Sequence, residues 1–540
     1  QVEQRGADHT TNGIRMGIDG WIYIAVGDFG FHEAKGTDGR VLSRRGGGIV
    51  RVRPDGTDME IYAWGLRNIL DVAIDPYLDM FTRDNTNDGG GWNVRFNHIL
   101  QGADYGYPSL YRNFSDEIMP TLADYGGGSG CGSMYLHDAR WPEDYASVAL
   151  TCDWGTSKVY WHRLSANGVT FDPHQADFLE IPRPTDIDVD GSGRLYVSSW
   201  KNGSFSFSDH NVGFVTQVTP QGFVVRPFPH LSELDDEKLI DWLIKGIAVP
   251  SLHAQRELLR RGASRERMDR LKSVAMDSNV PLAGRVAAIF TIKQLLRRES
   301  TELLLEIGRR DAAIKPFVIR ALTDRIAECQ ESMTGYVSEA LGDLNPKVQS
   351  QALIALSRLG QANCIKDIDR VAKSVLPWTR LHSVTDSAEK TKADHSLPDP
   401  SRVLPHLAVN ALVSMRAYET CLGALDSSYR EGAFWALKKM HDPKVVSGLI
   451  QRLYRPADSI TQTQVVEALA RLYYREGEYV KGDWWGTRPD TSGPYYDRQK
   501  WEQTERIEKV LGGLTQGASP ELARILDEQM KRHHISLQGE

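Results

Sequence analysis

The 540-residue sequence has few cysteines, no long hydrophobic run and no surplus of positive charge. Its five cysteines form neither a Cys-x-x-Cys-His motif nor a zinc-ligand pattern, which argues against attached c-type haem and structural zinc. No run of 18 apolar residues occurs, so no membrane-spanning helix is predicted. The formal net charge of −7 argues against nucleic-acid binding, which calls for a basic face.

The size and composition are those of a globular protein with more than one domain. A chain of 540 residues exceeds the size of one ordinary domain, and the hydrophobic and charged fractions of 41% and 25% are unremarkable. Cys131 and Cys152 lie in the Gly- and aromatic-rich part of the sequence. They are either small buried apolar residues or, in an exported protein, a disulfide, and sequence alone does not decide between these.

Residues 1–230 predict an all-β propeller. Asp-Gly turns followed by alternating apolar and polar residues recur, for example at Asp19-Gly20 and Asp190-Gly191. Such turns supply the positive φ that a tight hairpin needs, and repeated four-stranded sheets of this kind are typical of propeller blades. We count about four blades, fewer than a closed ring usually has, so the propeller is expected to be incomplete at its N-terminus.

The remainder predicts an all-α solenoid of HEAT type. An Ala-apolar pair recurs, mostly at intervals in the low thirties, which is typical of stacked helix pairs. The pairs begin at Ala288, Ala321, Ala355, Ala411, Ala436 and Ala468. The predicted segments are a solenoid at 231–375, an insertion loop at 376–404, further repeats at 405–476, an aromatic-rich loop at 477–501 and a C-terminal helix and tail at 502–540.

The loop 477–501 concentrates aromatic residues, which are Trp484, Trp485, Tyr495, Tyr496 and Trp501. One interpretation is an ordered loop that docks its aromatic side chains on a neighbouring domain. The other is a carbohydrate platform or a partner interface, because aromatic faces stack on sugars and anchor interfaces.

Four polar residues near the N-terminus are candidates for alcohol oxidation, a reaction that needs a base for the hydroxyl proton. His9 precedes a predicted strand and Asp28 ends the same hairpin region, so the carboxylate can fix the histidine tautomer. Arg67 and Asn68 follow a glycine between two strands. Taken singly, His9 could be a surface loop residue and Arg67 a blade-to-blade ion pair.

An acidic segment follows within the same region. Side-chain and backbone oxygens at Asp84, Asn85, Thr86 and Asp88 are dense enough to suit Ca²⁺, which takes six to eight oxygen ligands. No glutamate closes the loop as in an EF-hand. The alternative interpretation is an Asx-rich turn without metal.

In this order, the motifs from His9 to Pro108 resemble the soluble glucose/sorbosone dehydrogenase family, β-propellers that use pyrroloquinoline quinone (PQQ) and Ca²⁺. The resemblance implies that His9 is the general base, that Asp28 orients it, and that Arg67 contacts cofactor and substrate. It implies that Asp84, Asn85, Thr86 and Asp88 form the metal loop. The implied cofactor-binding residues are Arg67, Asn68, Lys158, Arg183 and Thr185, the last at a position where the family has a second arginine.

Over most of its length the chain also resembles planctomycete-type membrane-bound dehydrogenases, which join such a propeller to HEAT repeats. The segments Trp484–Thr491 and Gly493–Tyr496 carry this match. The resemblance implies a periplasmic or otherwise extracytoplasmic enzyme that oxidises a sugar or related alcohol. Electrons would leave to a c-type cytochrome on another chain or domain, or to a membrane quinone. Two alternatives stay open. One is a non-catalytic scaffold that binds glycans, or binds proteins through the solenoid. The other is a propeller hydrolase or lyase.

Overall fold

Strands occupy the first part of the chain and helices the second. The computed structural model describes residues 9–86, 93–203, 210–381, 399–454, 459–479 and 493–536. Within these ranges the strands end at Val218, and sixteen helices follow from Asp236. The predicted order, a β half followed by an α half, is therefore confirmed. No helix among the described residues is long and apolar enough to cross a bilayer.

The β half consists of antiparallel sheets in the order of the chain. The strands are β1 (Thr11–Met16), β2 (Ile22–Val26), β3 (Phe31–Lys35), β4 (Val41–Arg44), β5 (Gly47–Val52), β6 (Glu60–Leu66), β7 (Ala73–Ile74), β8 (Met80–Asn85), β9 (Asn93–Ile99), β10 (Ala123–Gly127), β11 (Gly130–His137), β12 (Ser147–Asp153), β13 (Lys158–Asn167), β14 (Thr170–Glu180), β15 (Pro184–Val189), β16 (Leu195–Ser199) and β17 (Phe214–Val218). They form the sheets β1-β2-β5-β6, β7-β8-β9-β10, β11-β12-β13-β14 and β15-β16-β17, with β3-β4 as a separate hairpin.

The first strands of neighbouring blade-like sheets face one another. The backbone N–H of Gly13 in β1 donates to the carbonyl of Leu70, next to β7, and β11 packs against both β7 and β15. Arg15 in β1 reaches Asp71 and Asp186, which ties the first, second and fourth sheets together. We call the end at which β1, β7, β11 and β15 begin the upper rim and the opposite end the lower end.

The α half is built from short helices that succeed one another closely. Its helices follow a single turn, α1 (Leu110–Asn113), in the β half. They are α2 (Asp236–Ile244), α3 (Ala248–Arg261), α4 (Arg265–Met276), α5 (Leu282–Leu296), α6 (Thr301–Arg310), α7 (Lys315–Leu322), α8 (Ser332–Glu339), α9 (Pro346–Gln361), α10 (Ile368–Val375), α11 (Val403–Ser414), α12 (Tyr418–Gly423), α13 (Arg430–Lys438), α14 (Pro443–Leu453), α15 (Ser459–Arg471), α16 (Thr504–Thr515) and α17 (Pro520–His533).

The recurring Ala-apolar pairs mark one row of the solenoid. They fall in α5, α7, α9, α11, α13 and α15, and all twelve residues are fully buried. These helices pack against one another in that order, because each alanine lets the next helix approach closely. Most of the predicted insertion 376–404 lies outside the described residues.

The same row carries the β half. Its hydrophobic core is continuous with the first two sheets, so the two halves share one core. Polar contacts join α3 and the row to the lower end of the sheets and to the outer edge of the first sheet, at β6. They join Gln255 and Gln294 to Ile18, Arg320 to Leu78, Lys347 to Asp79, Arg358 to Glu60, and Asn410 to Gly102.

Asp324, just after α7, makes the densest of these contacts. Its carboxylate accepts hydrogen bonds from the Trp21 indole (2.7 Å) and from Arg53 (2.5 Å), and Arg51 donates to its carbonyl (3.0 Å). Both guanidinium groups stack on the fully buried Trp21 ring, at 4.1 and 3.7 Å from its centre. We call Asp324, Trp21, Arg51 and Arg53 the lower contact.

Candidate active site

The upper rim gathers the residues that the sequence singles out. His9 lies just before β1, Asn68 shortly before β7, and Arg183 directly before β15. Since these first strands run in the same direction around the β half, the residues that precede them lie at one end of it. Residues more than 170 positions apart in sequence thus belong to one rim.

At this rim His9, Asp28 and Arg67 form a buried chain. His9 Nδ1 makes a short hydrogen bond to Asp28 Oδ1, and Arg67 Nε lies 3.6 Å from Asp28 Oδ2. The exposed fractions are 7% for His9 and zero for both Asp28 and Arg67. A carboxylate on Nδ1 fixes the ring orientation and leaves proton transfer to Nε2. The three residues predicted as catalytic are therefore in contact.

The hairpin of β1 and β2 explains why His9 faces Asp28. The N–H of Gly27 donates to the Thr10 carbonyl and that of Phe29 donates to the His9 carbonyl, which extends the ladder beyond both strands. A Cβ on Gly27 would lie 2.5 Å from Asn68 Oδ1 and 2.6 Å from the His9 backbone. Glycine is therefore required for this close approach.

Two acceptor oxygens beside this chain have no hydrogen-bond donor. Among the described residues, none donates to Asp28 Oδ2 or to Asn68 Oδ1, although both atoms are buried. Buried acceptors are nearly always satisfied in folded proteins, so such a pair can accept from a bound ligand. A substrate hydroxyl is a suitable donor.

The predicted metal loop is occupied by protein donors where it is described. Asp84 Oδ1 accepts from the backbone N–H groups of Arg67 (2.9 Å) and Asn68 (3.1 Å), and Oδ2 accepts from Arg95 (2.7 Å). Burial raises the pKa of Asp84, and Arg95 opposes this shift. This carboxylate fastens the Arg67-Asn68 segment to β8.

Oxygens of Asn85 and Thr86 already accept hydrogen bonds within the protein. Asn85 Oδ1 accepts from the Gly130 N–H (2.8 Å) and its carbonyl from Arg67 (3.1 Å), while the Thr86 carbonyl accepts from the Tyr107 hydroxyl. A guanidinium beside the Asn85 carbonyl disfavours a divalent cation. Residues 84–86 as described do not fit Ca²⁺. Asp88 lies outside the described residues, within which no group of three or more acidic, His or Cys side chains could hold a metal ion.

Lys158, a predicted cofactor contact, pairs with carboxylates of its own sheet. It begins β13, and its Nζ lies 2.5 Å from Asp177 Oδ2 and 3.9 Å from Glu180 Oε1 on β14. All three side chains are at least 30% exposed.

Arg183 and Thr185 are held within the fourth sheet and its neighbour. Arg183 Nη1 donates to the Gly203 carbonyl (2.9 Å), and its guanidinium lies 4.9 Å from the centre of the Trp154 ring. Thr185 Oγ1 shares a hydrogen bond of 2.8 Å with Ser198 Oγ. Arg183 is half-buried at the rim, so it retains access to a ligand there.

The end of the α half reaches the rim, which the sequence motifs did not indicate. The Tyr479 hydroxyl donates to the carbonyl of Phe29 (2.8 Å), the residue after Asp28, and Ser109 donates to Glu476 (3.3 Å). Arg45 stacks on Tyr496 at 4.2 Å from the ring centre. We call these the upper contact. Trp484 and Trp485 of the predicted aromatic loop lie outside the described residues.

A cavity of about 840 Å³ lies within the upper contact, and we call it the rim cavity. Its walls come from the β3-β4 hairpin, the Tyr107-Pro108 segment and the α half after α13. Its volume falls within the range of about 300–1,000 Å³ that is typical of small-molecule sites. The aromatic segment 477–501 was the only sequence signal for this wall.

Comparison with known proteins gives partial similarities. Residues 2–205 match a family described as a domain of unknown function (DUF7133). No curated protein matches the chain.

Among solved structures, an oxidoreductase of Thermus thermophilus named as a glucose dehydrogenase is 19% identical over 37% of this chain, with a TM-score of 0.30. A PQQ-bound aldose sugar dehydrogenase of Streptomyces coelicolor is 20% identical over 38%, with a TM-score of 0.29. The chain spans 62% and 60% of their lengths. The Escherichia coli protein YibA is 14% identical over 57% of this chain and 94% of its own, with a TM-score of 0.28.

Proposed function

We propose that the protein is an oxidoreductase that removes the hydroxyl proton of a sugar or related alcohol with His9. The observation that carries the proposal is the buried His9–Asp28–Arg67 chain beside two acceptor oxygens that lack donors. A substrate hydroxyl at His9 gives its proton to Nε2, and other hydroxyls of the same substrate donate to the two acceptor oxygens. Asp28 stabilises the resulting imidazolium because its carboxylate remains on Nδ1.

Arg67 and Asn68 position this reaction. The Arg67 guanidinium balances the charge of Asp28, and its backbone N–H and that of Asn68 are fixed on Asp84. The Asn68 side chain reaches the Gly27 backbone next to His9. Substrate is therefore held against a prearranged set of groups, which lowers the entropic cost of proton transfer.

A redox cofactor is needed for the hydride. PQQ is the group that the sequence resemblance implies, and Arg67, Asn68 and Arg183 are the rim residues that would hold it, where it would supply a hydride-accepting quinone. Lys158 does not fit this role because two carboxylates bind its Nζ. Asp84, Asn85 and Thr86 do not fit Ca²⁺, so no step is assigned to the metal.

The proposal includes an electron acceptor on another chain, either a c-type cytochrome or a quinone, and an extracytoplasmic location. Both come from the resemblance of the sequence alone. They are tested by asking which acceptor reoxidises the protein after reduction by substrate.

The decisive experiment measures dye reduction by the purified chain with PQQ, with and without Ca²⁺, over a panel of sugars. His9→Ala is expected to lower kcat by about 10²–10⁴-fold, the contribution of a positioned general base. His98→Ala is the matched control, because His98 is also buried and contacts Asp79 (3.3 Å) at the lower end. Thermal melts establish that each variant is folded.

Activity that survives His9→Ala contradicts the assignment of the base. Calorimetry tests the main alternative, a non-catalytic scaffold. Tight binding of a protein or glycan without any binding of PQQ favours that alternative. Product release without any electron acceptor favours a hydrolase or lyase.

A further inference from the structure

The rim cavity is lined by many charged side chains, among which cations outnumber carboxylates. Six cationic side chains line it, against four carboxylates. The cations are Arg44, Arg45, Lys438, Lys439, Arg471 and Arg475. The carboxylates are Glu33, Asp104, Glu476 and Glu478. Like charges gathered in a concave site focus the field on a ligand of opposite sign.

Part of this charge is neutralised inside the protein. Arg471 lies 3.4 Å and Lys438 3.9 Å from the buried Glu117 carboxylate. Burial alone would raise the pKa of Glu117, but Arg471 and Lys438 outweigh it and lower the pKa. These two cations therefore serve the fold.

Three cavity cations are less closely paired: Arg44 opposes the rise in the pKa of Glu476 that burial causes, and Lys439 helps to lower the pKa of Glu117, both from beyond 4 Å. In the described ranges, no carboxylate lies within 4 Å of Arg44, Lys439 or Arg475. Arg44 lies 5.6 Å from the Trp64 ring centre, Lys439 donates to Asn410 (3.5 Å) and Arg475 to the His441 carbonyl (3.0 Å). Three cations without a close carboxylate that converge on one cavity favour an anionic ligand there.

The cavity also adjoins the candidate base. Tyr479 in its wall donates to the carbonyl of Phe29, directly after Asp28, and Phe29 in turn donates to His9. Half-exposed Tyr479 and the Ser109 hydroxyl add donors and acceptors suited to a polyhydroxyl compound. His441 adds no charge, because burial lowers its pKa to about 4.

We propose that the rim cavity binds the acidic group of a carboxylated or sulfated sugar whose hydroxyl reaches His9. The anionic character rests on the cavity alone, whereas the sugar character rests on the proposed function. Arg44, Lys439 and Arg475 contact the acidic group, and the α half thereby contributes to substrate specificity of a site whose base lies in the β half.

Calorimetry on the full chain tests this proposal with four probes: digalacturonate, a sulfated chondroitin disaccharide, lactose as the neutral disaccharide, and inorganic sulfate. We expect one or both acidic disaccharides to bind at least tenfold more tightly than lactose and inorganic sulfate. The two acidic probes distinguish carboxylate from sulfate recognition.

The variant Arg44→Ala/Lys439→Ala/Arg475→Ala should weaken binding of the acidic disaccharide at least tenfold. The control Arg163→Ala/Lys238→Ala/Arg265→Ala removes the same charge from side chains that are 55–96% exposed outside the cavity. It should bind as the unaltered protein does, since screened surface charges contribute little. Added salt should weaken binding to the unaltered protein and have less effect on the cavity variant.

Equal binding of lactose and the acidic disaccharides overturns the proposal, as does a cavity variant that binds like the control. Inorganic sulfate that binds as tightly as the sugars overturns the sugar class. Tight, charge-dependent binding of an acidic disaccharide without any dye reduction supports the cavity assignment and counts against the proposed oxidoreductase instead.

Discussion

The α half meets the β half at two ends that are built in opposite ways. In the lower contact, Asp324 and two arginines are almost completely buried, with exposed fractions of 1–3%, around a fully buried tryptophan. In the upper contact, hydrogen bonds and one stacked arginine surround a cavity of about 840 Å³. One end is filled with paired charges, and the other keeps space and less closely paired cations.

We infer from this difference that the lower contact holds the two halves together and that the upper contact binds a ligand. Buried charges are tolerated only where partners compensate for lost hydration, as Asp324 does for Arg51 and Arg53. Exposed cations such as Arg44 and Arg475 remain hydrated and can bind an anion from solution. We therefore expect mutations at the lower contact to change stability and mutations at the upper contact to change binding.

Asp324→Ala should have the largest effect. It leaves Arg53 buried without its carboxylate, whereas Arg51 keeps Glu60 at 2.5 Å. Breaking a buried ion pair costs about 3–5 kcal/mol. The loss should appear as a lower urea midpoint followed by circular dichroism. Asp144→Ala is the control, because the Asp144 carboxylate is 71% exposed and pairs with Arg163 at the surface, where a pair contributes about 0–1 kcal/mol. Equal midpoints for the two variants would show that the lower contact does not hold the halves together.

Asp324→Asn should reveal a pH dependence of the same contact. Burial alone would raise the pKa of Asp324, but Arg53 and Arg51 outweigh it and lower the pKa. A lowered folded pKa stabilises the protein above the unfolded value of about 4, and this contribution is lost as the pH falls towards the folded value. The difference in melting temperature between the unaltered protein and Asp324→Asn should be constant from about pH 5 to 8 and shrink below about pH 4. A difference that does not change with pH would contradict the charged state of Asp324.

The sequence predicted the β half, the α half and the helices of the solenoid row, because turns and repeats are local patterns. The Asp19-Gly20 and Asp190-Gly191 turns lie at hairpins, and each Ala-apolar pair lies in a helix of one row. Local pattern did not predict that the α half contacts the β half from Ile18, through Gln294, to Phe29, through Tyr479. That arrangement depends on contacts between residues hundreds of positions apart, such as Trp21 with Asp324.

For the site, sequence order predicted the contact of His9 with Asp28, because the two flank one hairpin. The roles of all predicted site residues stay predictions. The sequence did not predict that Asp84 would accept from the Arg67 and Asn68 backbone, or that Lys158 would bind Asp177. An acidic loop looks the same in sequence whether its oxygens meet a metal or protein donors. The segment 477–501 indicated docking or binding, but not which surface it meets.

Tyr479→Phe should give the smallest effect and the sharpest contrast. It removes a hydrogen bond to the Phe29 carbonyl, which contributes about 0.5–1.5 kcal/mol. Since the upper contact is hollow, we expect local opening there without a change in the global urea midpoint. The Gly477 amide, which donates to the Tyr496 carbonyl, should exchange up to about tenfold faster. Tyr454→Phe, at a side chain 74% exposed, is the control and should change neither quantity. A midpoint shift as large as that of Asp324→Ala would mean that both ends hold the halves together, and that the contrast between a filled and a hollow contact has no energetic counterpart.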